Sequence, residues 1–381
     1  MIRGSQHLLT LMVGPAVPVP VPQTVLDALT EVSISISARS ASGFQLSFEI
    51  SNNSPLQTLF LLSGGATIPL LRVVIVVTVN GTPQVLIDGV VKEHSIAPGV
   101  GSQPATLTIM GSDLTEVMNY PRFSNPPGTP FPAMPPFTRV LTILAKYAAL
   151  GIIPKALPSV LLDVPLPTDR VPQQKGTDLD YIQQLADEVG YVFYLEPGPA
   201  PLTSCAYWGP EIKVGQPQPA LNVDMDAYTN VESLSFRFDD SAKVLPIVTV
   251  QNPTTKVPIP IPIPDITPLN PLLGAVSPIP QQFEVISDSA KYSPVRATMM
   301  GLAKAARSAE AVTGSGSLDV LRYGRLLKAR ELVGVRGAGV AFDGLYYVNN
   351  VTHTITRDAH KQSFELSRNG LVSTVSQVPA S

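Results

Sequence analysis

The stretch GTDLDYIQQLADEVGYVFYLEPG, Gly176 to Gly198, decides the fold class, because it holds a helix start, a helix stop and a strand in one unbroken run. Thr177 followed three residues later by Asp180 is the reciprocal capping pattern, in which a hydroxyl accepts a first-turn N–H and a carboxylate reaches back. A helix is expected from there. Asp178 joins Asp180 in its first turn, where the helix dipole favours negative charge. Leu179, Ile182, Leu185, Ala186 and Val189 recur at helical spacing, and Gly190 stands where a left-handed residue ends a helix without a Cβ penalty. YVFYL, Tyr191 to Leu195, reads as a strand, Pro197-Gly-Pro199 as a break, and CAYWGP, Cys205 to Pro210, as the returning strand. The unit is a helix feeding an aromatic hairpin.

Towards the N-terminus, residues 1–31, in which Val and Pro alternate from Val17 to Pro22, are expected to form an extended arm, since proline favours polyproline II or an edge. Residues 32–115 read as β. Val32, Ile34 and Ile36, then Phe44, Leu46 and Phe48, alternate with polar residues, and the run Leu70 to Val79 ends at Asn80-Gly81, a hairpin signal because both tolerate positive φ. Val85 to Val91 and Ala105 to Met110 supply further strands, and a small antiparallel barrel or sandwich fits. Residues 116–215 change pattern. Pro121 to Pro136 is a proline-dense connector, Thr138 opens a helix closed by Gly151 and Pro154, and with the Gly176 unit this makes an α+β insertion.

Residues 216–381 return to β character, with Val231, Leu234, Phe236 and Phe238 set among polar residues. Residues 253–280, with Val-Pro-Ile-Pro repeats, lack the donors a strand ladder needs and are expected to be an extended surface excursion. An alanine-rich helix from Pro294 to Val312, closed by Gly314, precedes strands expected at Val320 to Leu327, Glu331 to Val335, Leu345 to Thr354 and Ser363 to Ser367. The fold class is α+β and mainly β.

At 381 residues the chain exceeds one ordinary core, so two or three domains are expected. The net charge of −3 and pI of 5.8 argue against nucleic-acid recognition or a polybasic membrane patch. Charged residues make up only 14%, against a usual ~25%, and mean hydropathy is +0.21, so part of the surface is expected to be covered by protein partners. No run approaches the roughly 18 to 20 apolar residues of a spanning helix, and the N-terminus lacks the shape of a signal peptide. With Cys205 the only cysteine, no intrachain disulfide forms, which fits a reducing compartment. The glycosylation triplets at Asn52, Asn80 and Asn350 read as chance without a secretion signal.

Motifs that carry chemistry are missing. There is no nucleophile elbow, zinc-protease helix or phosphate loop, and Gly99-Val-Gly101 has Pro104 where the last glycine of a dinucleotide fingerprint belongs. The histidines His7, His94, His353 and His360 have no short metal-ligand pairing, and His353 alternates with Val351 and Ile355, as a structural histidine in a strand would. Asp178 and Asp180 are explained by helix capping and the dipole, Asp187 and Glu188 by the polar helix side, and Asp239-Asp240 by a turn. Cys205 has no basic neighbour in sequence to activate it. Trp208 invites two readings, a core residue or a sugar-stacking platform.

The Gly176 to Gly198 stretch resembles the segment found in baseplate hub proteins of contractile tails, the late control protein D family, and in the hub part of VgrG-like spikes. YWGP at Tyr207 to Pro210 and NVESL at Asn230 to Leu234 follow in the order of that family, as do Asp343 to His353 and Gln362 to Gly370. On this resemblance the signature structural positions are Gly176, Thr177, Asp178, Asp180, Leu185, Ala186, Gly190, Tyr191, Trp208, Gly209, Asn230, His353 and Gly370. The resemblance implies two tube-like antiparallel β-barrel domains flanking the α+β insertion. It also implies a homotrimer whose six β domains match a hexameric inner tube above and a trimeric spike below. The partners implied are the chain itself, tube proteins, other baseplate proteins and, because the chain stops at Ser381 without a spike stem, a separately encoded spike protein. Assembly from the cytoplasm into a phage tail or injection particle is expected, with no catalytic residue, cofactor or metal. The competing expectation is a carbohydrate-binding or peptidoglycan-degrading tail-tip protein built on the hairpin around Trp208.

Overall fold

The computed structural model describes residues 2–3, 7–15, 17–50, 70–99, 104–159, 171–251, 258–263, 271–286, 294–375 and 378. Six strands from the first third of the chain lie side by side: β1 (His7–Pro15), β2 (Leu29–Ser37), β3 (Gly43–Ile50), β4 (Leu71–Val79), β5 (Thr82–Ala97) and β6 (Ala105–Asp113). Their order is β1-β4-β5-β6-β3-β2, antiparallel throughout. Asn80 and Gly81, at φ of 49° and 80°, make the tight β4–β5 turn that their permissive backbones favour. Val32, Ile34, Phe44, Leu46 and Phe48 are buried, as period-two alternation requires.

Six later strands repeat the arrangement: β7 (Gln218–Asn222), β8 (Ser233–Phe238), β9 (Val312–Asp319), β10 (Leu332–Arg336), β11 (Gly344–Thr356) and β12 (His360–Arg368). Their order is β7-β10-β11-β12-β9-β8, the first arrangement with every label raised by six. One direction differs, since β7 runs parallel to β10 whereas β1 runs antiparallel to β4. Register repeats as well. Val91, Gly111, Phe44 and Ile34 form a row across β5, β6, β3 and β2, and Val348, Leu366, Gly314 and Phe236 form the corresponding row. The β5·β6 ladder shifts between Val91 and Glu93, and the β11·β12 ladder shifts at the same point, between Val348 and Asn350.

The halves meet edge to edge. β2 pairs with β11, Ser37 opposite Asn350 through Glu31 opposite Thr356, so one sheet of 14 strands, two of them short, runs through both. A continuous core with Ile34, Phe48, Val351 and Phe364 lies on it. The mainly β, α+β class is as expected, but closure of either half into a barrel by strand pairing is not seen among the described residues.

The α+β elements gather around a second core. Helix α1 (Pro136–Leu144) begins at Pro136, two residues before the expected start, and α2 (Asp178–Val189) ends at Gly190. Val192–Pro197 and Ser204–Gly209 form the expected hairpin, to which Ile152–Ala156 adds a parallel strand that Pro154 had masked in the sequence. Val140, Ile143, Leu179, Leu185 and Trp208 pack together there.

Four expectations need correction. The N-terminal arm is instead strand β1 over His7–Pro15, with Leu9, Leu11 and Val13 buried, and a short helix Gln23–Ala28; the prolines begin only where β1 ends. Within the supposed excursion, Pro258–Pro262 is an edge strand on Val244–Gln251, which also pairs with Gln282–Ile286. Prolines at alternate positions leave the amides of Ile259 and Ile261 for the ladder. Residues 252–257 and 264–270 lie outside the described set. The alanine-rich helix α3 is Pro294–Ser308, shorter than expected, and Gly314 lies inside β9, where the Phe236 ring occupies the space a Cβ would need. Finally, the strand expected at Val320 opens as a helical turn, Val320–Tyr323, because Asp319 Oδ1 accepts the Leu321 and Arg322 N–H groups at 2.8 and 3.1 Å.

Candidate functional site

At the start of α2, Thr177 Oγ1 accepts the Asp180 N–H at 3.2 Å and Asp180 Oδ2 accepts the Thr177 N–H at 3.0 Å, with Gly176 just before them. Asp178 stands in the first turn, as expected, and has a further role. It is buried; its Oδ1 accepts the Asn125 N–H at 2.9 Å and Gln174 Nε2 at 2.8 Å, and its Oδ2 accepts the Tyr147 hydroxyl at 2.7 Å and the Lys146 ammonium at 2.5 Å. Burial pushes its pKa up, but Lys146 and the other donors outweigh burial and hold it below the usual carboxylate range. One carboxylate therefore ties the proline connector, the end of the α1 region and the Gln174 segment to α2.

Leu185 and Ala186 face the second core. Gly190 sits at φ 73°, and a Cβ there would come within 2.5 Å of the Ala303 Cβ on α3, so this helix end needs glycine twice over. Tyr191 packs edge-on to Trp208 with ring centres 4.9 Å apart. Trp208 is 0% exposed and its Nε1–H points to the Ile182 carbonyl at 3.3 Å, so the indole offers no face to a sugar. Gly209 ends the strand opposite Val192.

The remaining signature positions lie in the second half. Asn230 Oδ1 accepts the Asn222 N–H at 2.8 Å and its Nδ2 donates to the Ala220 carbonyl at 2.9 Å, bracketing β7. His353, 1% exposed on β11, has Nδ1 3.1 Å from His360 Nε2, and burial followed by the His360 neighbour pushes its pKa down to about 3. Gly370 follows β12 and backs closely onto Gly274 and Val276. These positions do not converge on one pocket; each holds a junction of the fold.

Sequence reading missed the polar cluster beside the seam between halves. Arg39 reaches Glu211 at 2.6 Å and Glu310 at 2.5 Å, and Lys213 reaches Glu310 at 2.7 Å. Burial raises the Glu310 pKa, but Lys213 and Arg39 outweigh it and hold the group low. Arg330 donates to the Ser37 carbonyl at 2.7 Å and lies over the Tyr194 ring at 3.8 Å. These residues are scattered along the chain, with no local spacing to betray them. A cleft of about 550 Å³ nearby is lined by Ile36, Gln84, Leu86, Glu196, Leu326 and Arg330. Among the described residues no three His, Cys, Asp or Glu side chains are grouped to hold a metal, and no helix is long and apolar enough to cross a membrane.

Among the open edges of the large sheet are those of β5 and β8. Beyond Val91, β5 has run past the end of β4 and pairs only with β6, leaving Ile96 39% exposed. β8 pairs only with β9; its Phe238 is 36% exposed and its Arg237 side chain 79% exposed.

No family model matches this sequence, and no curated protein matches it. Solved structures do. A tail protein from Neisseria meningitidis MC58 is similar with a TM-score of 0.63 and 15% identity, over 96% of this chain and 98% of the other. The 43 kDa tail protein of prophage MuSo2 from Shewanella oneidensis gives 0.56 at 14% identity, over 95% and 98%. An E. coli component of the type VI secretion system, described as structurally similar to the T4 phage tail proteins gp27 and gp5, gives 0.53 at 10% identity, over 92% and 76%. At these identities the likeness is one of fold. The chain has the fold of phage tail proteins and of spike-related type VI secretion proteins.

Proposed function

We propose that this chain is a structural baseplate hub of a contractile tail or contractile injection system, of the late control protein D kind, that assembles as a trimer and adapts a hexameric inner tube to a trimeric spike. The observation that carries the reading is the repeated strand order, two like six-stranded halves in one chain. A six-fold tube must be met by six equivalent surfaces and a three-fold spike by three. Three copies of a twice-repeated chain satisfy both. Few charges and positive mean hydropathy fit surfaces covered on assembly.

In this reading residues 32–115 with β1, and residues 216–381, face the tube axis, and residues 116–215 stand outside them. The partners are a spike protein, tube proteins and other baseplate proteins, met after synthesis in the cytoplasm. We assign the chain no catalytic step: Asp178 and Asp180 are engaged by the fold, and the buried Trp208 removes the motive for a sugar platform. Native mass spectrometry of the purified chain, alone and with tube and spike proteins, tests the proposal. A trimer that captures both supports it; a persistent monomer that captures neither refutes it. Incubation with peptidoglycan should release no soluble fragments beyond a buffer control.

A further inference from the structure

The junction between the halves is built on positions that both halves possess, and only one copy of it is used inside the chain. β2 lies against the part of β11 that follows the bulge at Asn349, pairing Ile36 with Val351, Ser35 with Thr352, Ile34 with His353 and Ser33 with Thr354. The counterpart of β2 is β8, and the counterpart of that part of β11 is residues 93–97 of β5, which follow the matching bulge at Lys92. Both of these edges are open among the described residues.

We propose that β8 of one copy pairs antiparallel with residues 94–97 of β5 in a second copy of this chain, repeating between chains the junction that β2 and β11 make within one. This rests on the ring reading above and names the contact that would build it. The shared register fixes the partners. Phe238 comes opposite His94, Arg237 opposite Ser95, Phe236 opposite Ile96 and Ser235 opposite Ala97. Pro98 then ends the ladder, since it has no N–H to contribute.

The chemistry of the edges agrees with that register. Val32, Ile34 and Ile36 on β2 correspond to Leu234, Phe236 and Phe238 on β8, so the apolar side is kept position for position. Ile96 and Phe238, both exposed in the single chain, come onto neighbouring strands. The register also sets Asp239 opposite Glu93, and Arg237, already 3.5 Å from Asp239 and within diagonal reach of Glu93, offsets that like-charge pair. The contact is heterologous: each copy offers β8 to one neighbour and β5 to the other, and repetition closes a ring of three when each contact turns the chain by a third of a revolution.

Paired cysteines test it. With Cys205 replaced by Ala throughout, Ser95→Cys and Arg237→Cys in one chain should form an interchain disulfide on mild oxidation, because residues directly opposite in an antiparallel pair have Cα atoms roughly 4.5–5.5 Å apart, within the span of a disulfide. The non-reducing ladder should end at three linked chains and collapse on reduction. Mixed single variants should link only Ser95→Cys to Arg237→Cys. Ser95→Cys with Ser233→Cys, four residues out of register, should not link. In the unmodified chain, the alternate amides among residues 94–97 and 234–238 that face the open edges should gain hydrogen-exchange protection as the trimer forms. A trimer with neither the disulfide nor the protection overturns this pairing and leaves the hub reading standing. A chain that stays monomeric overturns both.

Discussion

Ile34 of β2 lies directly opposite His353 of β11, and through this pair the first half of the sheet continues into the second. Both are buried in the middle of a seven-residue ladder. Ile34→Ala should therefore cost about 2–4 kcal/mol of stability, the range for a large-to-small change in a closed core. Urea denaturation of the two proteins checks this; a shift under 0.5 kcal/mol would mean that the seam does not hold the halves together.

His353 should make stability depend on pH. Its imidazole resists protonation down to about pH 3 in the folded chain but takes a proton near 6.5 when unfolded. Between those values the unfolded state binds more protons, so the stability is whole above 6.5 and is lost as pH falls towards 3. The contribution between pH 7 and pH 5 is about 2 kcal/mol. Comparing denaturation at both pH values for the wild type and His353→Gln should show a flatter dependence in the variant.

Asp178 and Asp180 are two residues apart and should behave differently. Asp178→Ala strips the partly exposed Lys146 ammonium, a buried hydroxyl and two amides of their acceptor, at about 2–3 kcal/mol. Asp180→Ala loses one arm of a capping box, about 1 kcal/mol. Equal shifts in melting temperature would contradict the assignment.

The two sides of α2 offer a similar contrast. Leu185→Asp places a charge in the second core and should cost several kcal/mol, whereas Asp187→Ala on the exposed side should change stability by about 0.5 kcal/mol or less. Thermal melts of equal size would show the helical face to be misassigned.

What could be read from the sequence was what is local. The α2 cap, the Gly190 stop, the Asn80-Gly81 turn and the alternation of Val32 to Phe48 each put cause and consequence within a few residues. β1 was hidden because Leu9, Leu11 and Val13 lie beside a proline run that dominates the eye. Asp178 looked like a dipole charge because its partners, Asn125, Lys146 and Tyr147, are far away in sequence. The seam and the Arg39–Glu211–Glu310–Lys213 cluster were illegible for the same reason, since only the fold brings 31–37 against 350–356. The likeness of the halves rests on strand order and bulge position, which survive when side chains do not.

The most direct measurement is electron cryomicroscopy of the purified chain, viewed down the axis of its assembly. A hub of this kind shows three chains in a closed ring, with two β units from each surrounding a central channel. Single chains, dimers, or a ring in which only one β unit per chain lines the channel would contradict the hub reading.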